Sequence, residues 1–353
     1  MSRDRTGVLV VGAGIAGVSC ARELAAAGVP VRIRERARVP GGRMASRRFD
    51  GRPADLGAAY FTVSDPDFAA VVRRWAAAGL AREWTDTFVA YDATGRTERP
   101  GPVRWAAPGG LRSLVTQLAG GLDVTTDRLV TMVEPGPLVD SEPVEAVVLA
   151  MPGPQAARLL DTPLAAAVRA TRARRWAPSL AAVLRYPRRS WVDFAGAFVN
   201  DHPVLATVCD DGDRRGDRAP VLVAHTTAEF AGRYLPQPSL AGPEIDRAVR
   251  DLLALPDPAA EVFVHRWTYA RPEPAAAADP EAADPAAADA AVTDAAVTDA
   301  AVTDPGAADS GGAGYHLDDD GIGLAGDAFG TPKVQTAWCS GRALGRALAA
   351  RLR

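Results

Sequence analysis

The chain has 353 residues, a formal net charge of −3 at pH 7 and 48% hydrophobic residues. This length suits two interleaved domains or one large one, and it leaves enough residues for a sizeable core. A net charge so close to zero gives no electrostatic reason to expect binding to nucleic acid or to an anionic membrane. The only long apolar stretch contains Arg22 and Glu23, so no transmembrane helix is predicted.

The N-terminus and the cysteines predict a cellular compartment. Residues 2–6 are charged, and the apolar residues behind them belong to a glycine motif, which argues against a signal peptide. Three cysteines, an odd number, stand far apart at Cys20, Cys209 and Cys339. We therefore expect reduced thiols in a cytoplasmic protein, without a disulfide framework. No residue spacing typical of a metal site occurs, so no metal is expected.

The strongest pattern lies in the first fifty residues. An apolar run over residues 8–11 predicts a buried parallel strand, and an Ala-rich helical pattern follows to Ala27, with Gly28 as its C-cap. A second strand is predicted over residues 31–33, and it leads to Glu35. Between the first strand and the helix stands a complete G-x-G-x-x-G sequence, formed by Gly12, Ala13, Gly14, Ile15, Ala16 and Gly17. This arrangement predicts a dinucleotide-binding βαβ unit.

Each part of this unit has a physical reason. Gly12 permits the tight turn, Gly14 lets the backbone approach a pyrophosphate, and Gly17 allows the helix to pack closely on the strand. The helix N-terminus offers N–H groups and a positive dipole end to the phosphates. Glu35, with Arg36 beside it, is placed to accept hydrogen bonds from the adenosine ribose. Because a carboxylate disfavours a 2′-phosphate, FAD or NAD is favoured over NADP. The alternative is a glycine turn in a purely structural βαβ unit.

Two further segments bear on the choice between FAD and NAD. Residues 39–44 place a glycine pair and an arginine directly after the second strand, which a plain NAD-binding unit does not require. Residues 55–62 contain small residues that would let a backbone approach a flavin. The candidate cofactor contacts in these two segments are Gly42, Arg43, Met44, Ala59 and Tyr60. Tyr60 is also a candidate for lining the substrate side of the flavin. The alternative is that it is an ordinary buried tyrosine of the core.

In this order and at these spacings, the segments VVGAGIAG, PGGRMASR and DLGAAYFT resemble the renalases and renalase-like bacterial flavoproteins. These are compact relatives of the amine-oxidase flavoproteins. The resemblance covers the first 62 residues and implies that non-covalent FAD is the cofactor. It also implies that the segment around Arg43 lies over the dinucleotide and that this arginine pairs with the pyrophosphate. Val130 would contact the adenine through its backbone.

The C-terminal part carries a second strong pattern. Residues 322–327 read as a strand that ends in Gly326-Asp327, and a closing helix is predicted from Ala343 to Leu352. The resemblance implies that Asp327 binds a ribityl hydroxyl and that a helix N-terminus, with the backbone of Gln335 to Ala337, faces the flavin N1–C2=O edge. The further candidate cofactor contacts are Pro152, Gly326, Lys333, Val334, Gln335 and Ala337. Pro152 follows a predicted buried strand. Lys333 is the only lysine of the chain, and the alternative to a functional role is that it is a solvent-exposed lysine present by chance.

These patterns predict an α/β fold in which a Rossmann-type, glutathione-reductase-like FAD-binding domain is interleaved with a smaller α+β substrate domain on an antiparallel sheet. The FAD-binding domain is expected to comprise residues 1–62, 108–160 and 315–353, and the substrate domain residues 63–107 and 161–271. Residues 272–314 form a low-complexity insertion in which Ala-Ala-Val-Thr-Asp occurs three times. Such residues bury too little surface to offset their ordering entropy, so a disordered or weakly helical surface loop is expected.

The substrate domain is expected to form a roof over the flavin. A helix is predicted over residues 67–78, and a turn at Asp211-Gly212-Asp213. Strands are predicted over residues 84–91, 103–105, 180–186, 197–199, 203–209, 221–226 and 262–267. His225, His265 and Trp267 are the candidate pocket residues besides Tyr60. For each histidine, the alternative is an ordinary residue of the core or surface.

The resemblance implies a reaction. The enzyme would oxidise the 2- and 6-dihydro isomers of NAD(P)H to NAD(P)⁺ and pass the electrons to O₂, which gives H₂O₂. Hydride transfer to flavin N5 needs no general base, which agrees with the lack of any catalytic triad or carboxylate pair in the sequence. The alternatives are oxidation of an amine, a desaturase-type or protoporphyrinogen-like oxidation, and a non-catalytic FAD-binding sensor or scaffold. The oligomeric state is not predicted.

Overall fold

A computed structural model describes residues 7–273 and 314–353 of the chain. Contacts between residues divide the chain into two compact units. Within the described residues, the first unit comprises 7–82, 106–175 and 314–353, and the second comprises 83–105 and 176–273. These units group residues by contact alone and do not test the boundaries of the predicted FAD-binding and substrate domains. Those boundaries therefore stay a prediction. Most of the predicted insertion, residues 274–313, lies outside the described residues.

The strands are short in the first unit and long in the second. In chain order they are β1 (Val8–Val11), β2 (Val31–Arg34), β3 (Ser46–Phe49), β4 (Arg52–Asp55), β5 (Arg82–Asp92), β6 (Gly95–Ala106), β7 (Asp123–Thr125), β8 (Val133–Glu134), β9 (Leu138–Val139), β10 (Glu142–Pro143), β11 (Ala146–Leu149), β12 (Trp176–Arg185), β13 (Gly196–Val199), β14 (Leu205–Asp210), β15 (Val221–Thr226), β16 (Glu261–Pro272), β17 (His316–Leu317) and β18 (Ile322–Leu324).

The helices follow the same chain order. They are α1 (Ile15–Ala26), α2 (Pro66–Ala77), α3 (Leu111–Leu118), α4 (Gly153–Ala156), α5 (Ala165–Thr171), α6 (Asp211–Arg215), α7 (Ala228–Tyr234), α8 (Gly242–Leu253) and α9 (Val334–Arg351). Short 3₁₀ turns lie at Gly42–Met44, Pro238–Ala241 and Asp327–Phe329. None of the helices in the described parts of the chain is both long and apolar enough to cross a membrane.

The first unit is built on a six-stranded sheet in the order β17-β18-β11-β1-β2-β7. Its strands are parallel, except that β17 runs antiparallel to β18. Every residue of β1 and β11 is buried, as their continuous apolar runs predict for a sheet covered on both faces. The chain leaves β1 towards β2 on one side, whereas β11 lies on the other. This reversal next to β1 is the switch point where α/β sheets bind ligands.

Small residues let the last helix pack directly on the first. A Cβ atom on Gly341 would lie 1.9 Å from the carbonyl oxygen of Ala16, and one on Gly345 would lie 2.6 Å from that of Cys20. The Ser19 hydroxyl donates a hydrogen bond to the carbonyl of Trp338 at 2.9 Å. Helix α9 therefore lies against α1 at backbone contact distance, with its middle turns on the first half of α1.

The second unit is a seven-stranded sheet in the order β16-β12-β15-β14-β13-β5-β6. The pairs among β16, β12, β15, β14 and β13 are antiparallel, and β13 runs parallel to β5. One face of the sheet packs on α7 and α8 through a core that includes Leu180, Leu184, Val208, Phe230 and Ile245. The residues between these positions point to the opposite face, because side chains alternate along a strand.

Two sequence-based predictions of elements are wrong. The turn predicted at residues 211–213 is helix α6, because the Asp210 carboxylate accepts a hydrogen bond from Asp213 N at 2.9 Å and caps it. Gly216 then ends the helix in the left-handed region, with a φ of 78°. The closing helix begins at Val334 and not at Ala343. Gly341, which precedes the predicted start, is one of the small residues that let α9 approach α1.

Several boundaries also differ from the predictions. Strand β6 begins at Gly95, whereas only residues 103–105 were predicted as a strand, and β16 continues to Pro272 beyond the predicted residues 262–267. The strand predicted over residues 322–327 ends at Leu324. The proline-rich segment around Pro236 and Pro238 includes the 3₁₀ turn Pro238–Ala241 and leads directly into α8, because proline is tolerated in the first turn of a helix.

His202 gives the second unit a predicted pH dependence. Its Nδ1 accepts hydrogen bonds from the backbone N–H groups of Val204 and Leu205, at 3.0 and 3.1 Å. Burial lowers the pKa of His202 from its usual value of 6.5, and the charge of Asp251 opposes this only in part. The unfolded chain therefore binds more protons as pH falls through about 6.5, so the folded unit loses stability in that range.

We expect the urea midpoint of the wild-type chain to fall between pH 7 and pH 5. The His202→Asn variant keeps an oxygen that accepts the two N–H groups and does not titrate, so its midpoint is expected to fall less over this range. Urea unfolding at pH 5, 6 and 7 measures both. Equal falls in the two proteins would contradict the assignment to His202.

Candidate functional site

The glycine loop after β1 has the geometry that its sequence predicts. Gly12 has a φ of +107°, and a Cβ there would lie 2.7 Å from the carbonyl oxygen of Ala150. A Cβ on Gly17 would lie 2.1 Å from the carbonyl oxygen of Gly12. At Gly14 the nearest atom to such a Cβ is the Cα of Gly42 at 3.9 Å, which is ordinary contact. The backbone around Gly14 is thus left accessible. Gly12 and Gly17, in contrast, are required because a side chain at either position would collide with the protein's own backbone.

Helix α1 begins at this loop with no side-chain cap. Its N-cap residue is Gly14, and the first turn contains no acidic residue. The first N–H groups of a helix have no acceptor within the helix, and the macrodipole places partial positive charge there. The predicted contacts Ile15 and Ala16 lie in this turn and are buried. This end of α1 is therefore suited to hold an anion such as a pyrophosphate.

Glu35 joins the end of β2 to the glycine loop. Its Oε2 accepts a hydrogen bond from Ala13 N at 2.7 Å, and its Oε1 accepts one from Ala37 N at 2.8 Å. The residue is 8% exposed, whereas the neighbouring Arg36 is exposed. Each carboxylate oxygen can accept a second hydrogen bond. Glu35 is thus fixed in position with acceptor capacity left for two ribose hydroxyls.

Arg43 and Asp327 form the charged part of the site. Arg43 Nη1 donates to Asp327 Oδ2 at 2.7 Å, and Nη2 donates to Oδ1, so the pair is bidentate. The aspartate side chain is 10% exposed and the arginine side chain 28%. The sequence places these two residues at opposite ends of the chain, and the fold brings them together. The 3₁₀ turn that carries Arg43 also buries Met44.

Gly57 has a role in this arrangement that the sequence did not reveal. A Cβ on Gly57 would lie 1.8 Å from the carbonyl oxygen of Arg43, and that same oxygen accepts a hydrogen bond from Ala58 N at 2.9 Å. The segment that leads to Ala59 and Tyr60 therefore runs directly along the Arg43 turn. Both residues are half-buried, so Tyr60 is not an ordinary core tyrosine. A glycine inside an otherwise strand-like motif was the only available signal.

The N-terminal turn of α9 completes the set of predicted cofactor contacts. Lys333 is its N-cap residue and is exposed, Val334 is its first residue, and Ala337 is buried. The Gln335 side chain is engaged with the protein: its Oε1 accepts from Ser64 N at 2.7 Å, and its Nε2 donates to Ser64 Oγ at 2.8 Å. Gln335 therefore ties the segment after Tyr60 to α9, and only its backbone stays available to a cofactor.

The remaining predicted contacts lie at the ends of other strands in the same unit. Pro152 follows β11 as the N-cap residue of α4, and Gly326 N donates to Ser340 Oγ at 3.0 Å. Val130 is 2% exposed. The carboxylate of Asp140 accepts from the N–H groups of the next two residues after Val130, at 2.9 and 3.1 Å. Asp140 thus fixes the segment predicted to contact adenine, and sequence reasoning missed it.

The candidate substrate residues of the second unit share one face of its sheet. In register, His265 and His225 both lie opposite Ala181, and Thr207 lies opposite His225. The Thr207 hydroxyl and His225 Nδ1 are 3.4 Å apart. The His265 and Trp267 rings meet edge to face, with centroids 4.6 Å apart. The structure thus brings these three candidates together in one aromatic and imidazole-bearing patch.

The described residues give no sign of metal chemistry or of a reactive thiol. Over residues 7–273 and 314–353, no group of three or more His, Cys, Asp or Glu side chains is placed to hold a metal ion. All three cysteines are free. Burial raises the pKa of Cys209 and of Cys339 to about 11, and it also raises the pKa of Cys20. These thiols are therefore protonated at neutral pH and poor nucleophiles.

The donor set of the first unit fits FAD. The uncapped end of α1 suits the phosphates, Glu35 suits the adenosine ribose, and Asp327 has carboxylate oxygens for the ribityl chain. Gly14 leaves room for close approach of a phosphate. A plain NAD-binding unit would use the first two features alone, whereas the carboxylate of Asp327 is a third feature that the ribityl chain of FAD would use.

Two families match the chain. The family described as NAD(P)-binding Rossmann-like domain matches residues 10–75, and the family described as flavin containing amine oxidoreductase matches residues 74–342. Together they support FAD as the cofactor.

Solved structures of oxidases share the fold over nearly the whole chain. Cyclohexylamine oxidase from Brevibacterium oxydans superposes with a TM-score of 0.69 at 14% identity, covering 99% of both chains. A putative protoporphyrinogen oxidase from Exiguobacterium gives a TM-score of 0.68 at 14% identity, covering 99% of this chain and 100% of that one. Putrescine oxidase bound to putrescine gives 0.65 at 16% identity, covering 99% of each chain. At such identities the likeness shows the fold alone.

A curated relative matches a short segment. Hydroxyneurosporene desaturase of Rubrivivax gelatinosus is 48% identical over 66 residues, which are 18% of this chain and 13% of the desaturase. The match thus covers only a small part of that protein's length.

Proposed function

Because the chain belongs to the family of flavin containing amine oxidoreductases, we propose that it is an FAD-dependent oxidase of a small hydride donor, with 2- and 6-dihydro isomers of NAD(P)H as the first substrate class. In the proposed reaction, the donor loses a hydride and becomes NAD(P)⁺. One O₂ then takes up the two electrons and, with one further proton from solvent, becomes H₂O₂. The proposal joins the family assignment to the motif resemblance in the first 62 residues.

The sheet face of the second unit is the observation that carries the choice of substrate. Between Ser179 and Val183 on β12, and on the neighbouring strands β14, β15 and β16 at the same level, the described side chains of this face include no carboxylate. They do include the imidazoles of His225 and His265 and the indole of Trp267. A neutral, nearly flat, conjugated heterocycle such as dihydronicotinamide suits an aromatic surface with weak polar groups. A dicationic amine would favour a carboxylate.

The described residues suit this chemistry by binding and orientation. FAD, when bound, supplies the hydride acceptor and the route of electrons to O₂. The N-terminal turn of α1 would hold its phosphates, Glu35 its adenosine ribose, and Asp327 its ribityl chain. The N-terminal end of α9 would place partial positive charge beside the flavin ring. A hydride donor that becomes aromatic needs no proton removed at carbon, so none of the candidate substrate residues has to act as a base.

A second candidate function is oxidation of a small amine. Two of the solved structures that share the fold over nearly the whole chain are a cyclohexylamine oxidase and a putrescine oxidase. The aromatic patch of His265 and Trp267 is also compatible with a neutral monoamine. For an amine, hydride loss from the carbon beside nitrogen gives an iminium product, which water then hydrolyses.

The deciding experiment is anaerobic. The yellow holoprotein is mixed in a stopped-flow instrument with 6-dihydro-NAD, with ordinary NADH, and with a panel of amines that includes cyclohexylamine and putrescine. Oxidised FAD bound to a protein absorbs at roughly 450 nm. We expect fast loss of this absorbance with the 6-dihydro isomer alone. Admitting air should restore the absorbance and release one equivalent of H₂O₂ for each donor oxidised.

The other outcomes contradict the first proposal in distinct ways. Bleaching by an amine, with no response to the dihydro isomer, would favour the second candidate. Protein that stays yellow with every donor would leave FAD binding without turnover. A Trp267→Leu variant tests the proposed patch, since we expect it to raise KM for the donor at least tenfold while FAD content stays unchanged.

A further inference from the structure

Arg112 lies beside the glycine loop, although no sequence motif pointed to it. It is the second residue of α3, which lies alongside α1: Arg22 of α1 donates to the carbonyl of Leu118 at the end of α3, at 2.9 Å. At the other end of this pair, a Cβ on Gly41 would lie 3.0 Å from Arg112 Cγ and 3.3 Å from its Nε. Gly41 N in turn donates to the carbonyl of Ala13 at 2.9 Å.

The contacts of Gly41 place the Arg112 side chain near the predicted phosphate site. Gly41 lies against the Arg112 side chain and is hydrogen-bonded to Ala13 of the loop that ends at α1, so a single residue separates the Arg112 side chain from that loop. Gly41 has a φ of +143° and would be strained with a side chain. The backbone next to Arg112 is thus kept free of side-chain atoms, which leaves the guanidinium close to the loop.

The charge of Arg112 is only partly compensated by the described residues. Its Nε is buried and has no hydrogen-bond partner among the residues the structure describes. The first turn of α3 contains no acidic residue of its own, and its N–H groups are bound by other segments: Asp55 Oδ1 accepts from Leu111 N at 2.9 Å, and Ser46 Oγ accepts from Arg112 N at 3.2 Å. A cation near a helix N-terminus is unfavourable, because the macrodipole is positive there. Burial lowers the pKa of the Arg112 guanidinium, and the charge of Asp55 opposes this. An additional anion would remove this cost.

The predicted phosphate partner, Arg43, is already engaged. Both of its terminal nitrogens donate to the carboxylate of Asp327, so much of its charge is neutralised within the protein. The pyrophosphate of FAD carries about two negative charges at neutral pH, and such groups are commonly bound by arginine because its planar fork matches their oxygens. One arginine that is paired with a carboxylate leaves most of this charge to other groups.

We propose that Arg112 is a further cofactor-binding residue, whose guanidinium binds the pyrophosphate of FAD. The proposal rests on FAD as the cofactor and on the predicted position of the pyrophosphate at the α1 N-terminus. It is independent of the substrate, because the pyrophosphate takes no part in hydride transfer.

The test is a binding measurement on the full-length apoprotein. Kd is determined by isothermal titration calorimetry for FAD and for ADP, and by competition with ADP for adenosine, which has no phosphate. We expect Arg112→Met to raise the Kd of FAD and of ADP at least tenfold and to leave the Kd of adenosine unchanged. The Kd values of Arg112→Lys should lie between those of the wild type and Arg112→Met, since lysine keeps the positive charge but lacks the planar guanidinium. The control is Arg346→Met, which removes an exposed arginine paired with Glu23 and should change none of these values.

Two results would overturn the proposal. The first is an unchanged ADP affinity in Arg112→Met. The second is an equal loss for ADP and adenosine, which would mean that the variant distorts the nucleotide site as a whole. The melting temperature of the apoprotein separates the cases further: removing a partly compensated cation should leave it unchanged or raise it, whereas a structural role would lower it. No substrate enters these measurements, so they stand whether or not the proposed oxidation is found.

Discussion

Replacing Gly17 with alanine is expected to destabilise the chain by about 3 kcal/mol or more and to abolish FAD binding. The added methyl group would lie 2.1 Å from the carbonyl oxygen of Gly12 and 3.0 Å from the Cβ of Ala150. The first of these is a backbone atom that cannot rotate away, so α1 must move from the strand that it packs on. Since the helix N-terminus is the predicted phosphate site, this displacement removes the site together with the packing.

Gly14→Ala provides the informative comparison. Its methyl group would meet no protein atom closer than 3.9 Å, so the melting temperature of the apoprotein should change little. FAD affinity should nevertheless fall at least tenfold, because the methyl group occupies space that the pyrophosphate is expected to approach. Gly232→Ala in α7 is the neutral control, since a Cβ there has nothing within 4 Å. Thermal unfolding and FAD titration of the three variants measure these effects. A loss of stability in Gly14→Ala as large as that in Gly17→Ala would contradict the different roles assigned to the two glycines.

Replacing Asp327 with alanine is the second change expected to have a large effect. It leaves the Arg43 guanidinium without its bidentate partner in a partly buried place, which costs about 3 kcal/mol for a buried pair. It also removes the carboxylate predicted to bind the ribityl chain. We therefore expect a lower melting temperature and purified protein with almost no bound FAD, measured from the ratio of absorbance at 450 nm and 280 nm.

A double-mutant cycle separates the two roles of Asp327. If the ion pair accounts for the lost stability, Arg43→Met combined with Asp327→Ala should be no less stable than Asp327→Ala alone. FAD binding should stay lost in the double variant, because both predicted ligands are gone. The control is Asp319→Ala, an exposed aspartate in the turn before β18. Additive losses of stability from the two single changes would contradict a direct interaction.

The N-terminal βαβ unit was predictable because its signals are local. Val8–Val11 is apolar without interruption, Gly28 ends the α1 segment, and Glu35 follows β2 at the expected distance. Each of these signals comes from a few neighbouring residues, and the tertiary packing of the unit is consistent with them. The strand-by-strand reading of the second unit was largely correct for the same reason, since β-branched and apolar runs mark β12 and β15.

What the sequence did not reveal depends on contacts between distant segments. Gly57 is needed because the backbone of Arg43 passes within contact distance, and Asp140 acts on a segment that precedes it by eight to nine residues. The bidentate pairing of Arg43 with Asp327 joins residues that are 284 positions apart. No periodicity or local motif reports such encounters. The residue pattern placed the start of the closing helix too late for a related reason: Gly341 suits the packing of α9 on α1, and a pattern of neighbouring residues does not report that contact.

The packing of α9 on α1 also bears on how the chain acquires its cofactor during synthesis. Ser19 and Trp338, which join these helices, are separated by 319 residues. During synthesis the glycine loop leaves the ribosome well before α9, so α1, which begins at this loop, lacks its contacts with α9 until that helix has emerged. Contacts of such large sequence separation form slowly, because loop closure has to be achieved before they contribute. FAD is therefore expected to be captured after translation of this region is finished, and free FAD should accelerate the final docking of α9.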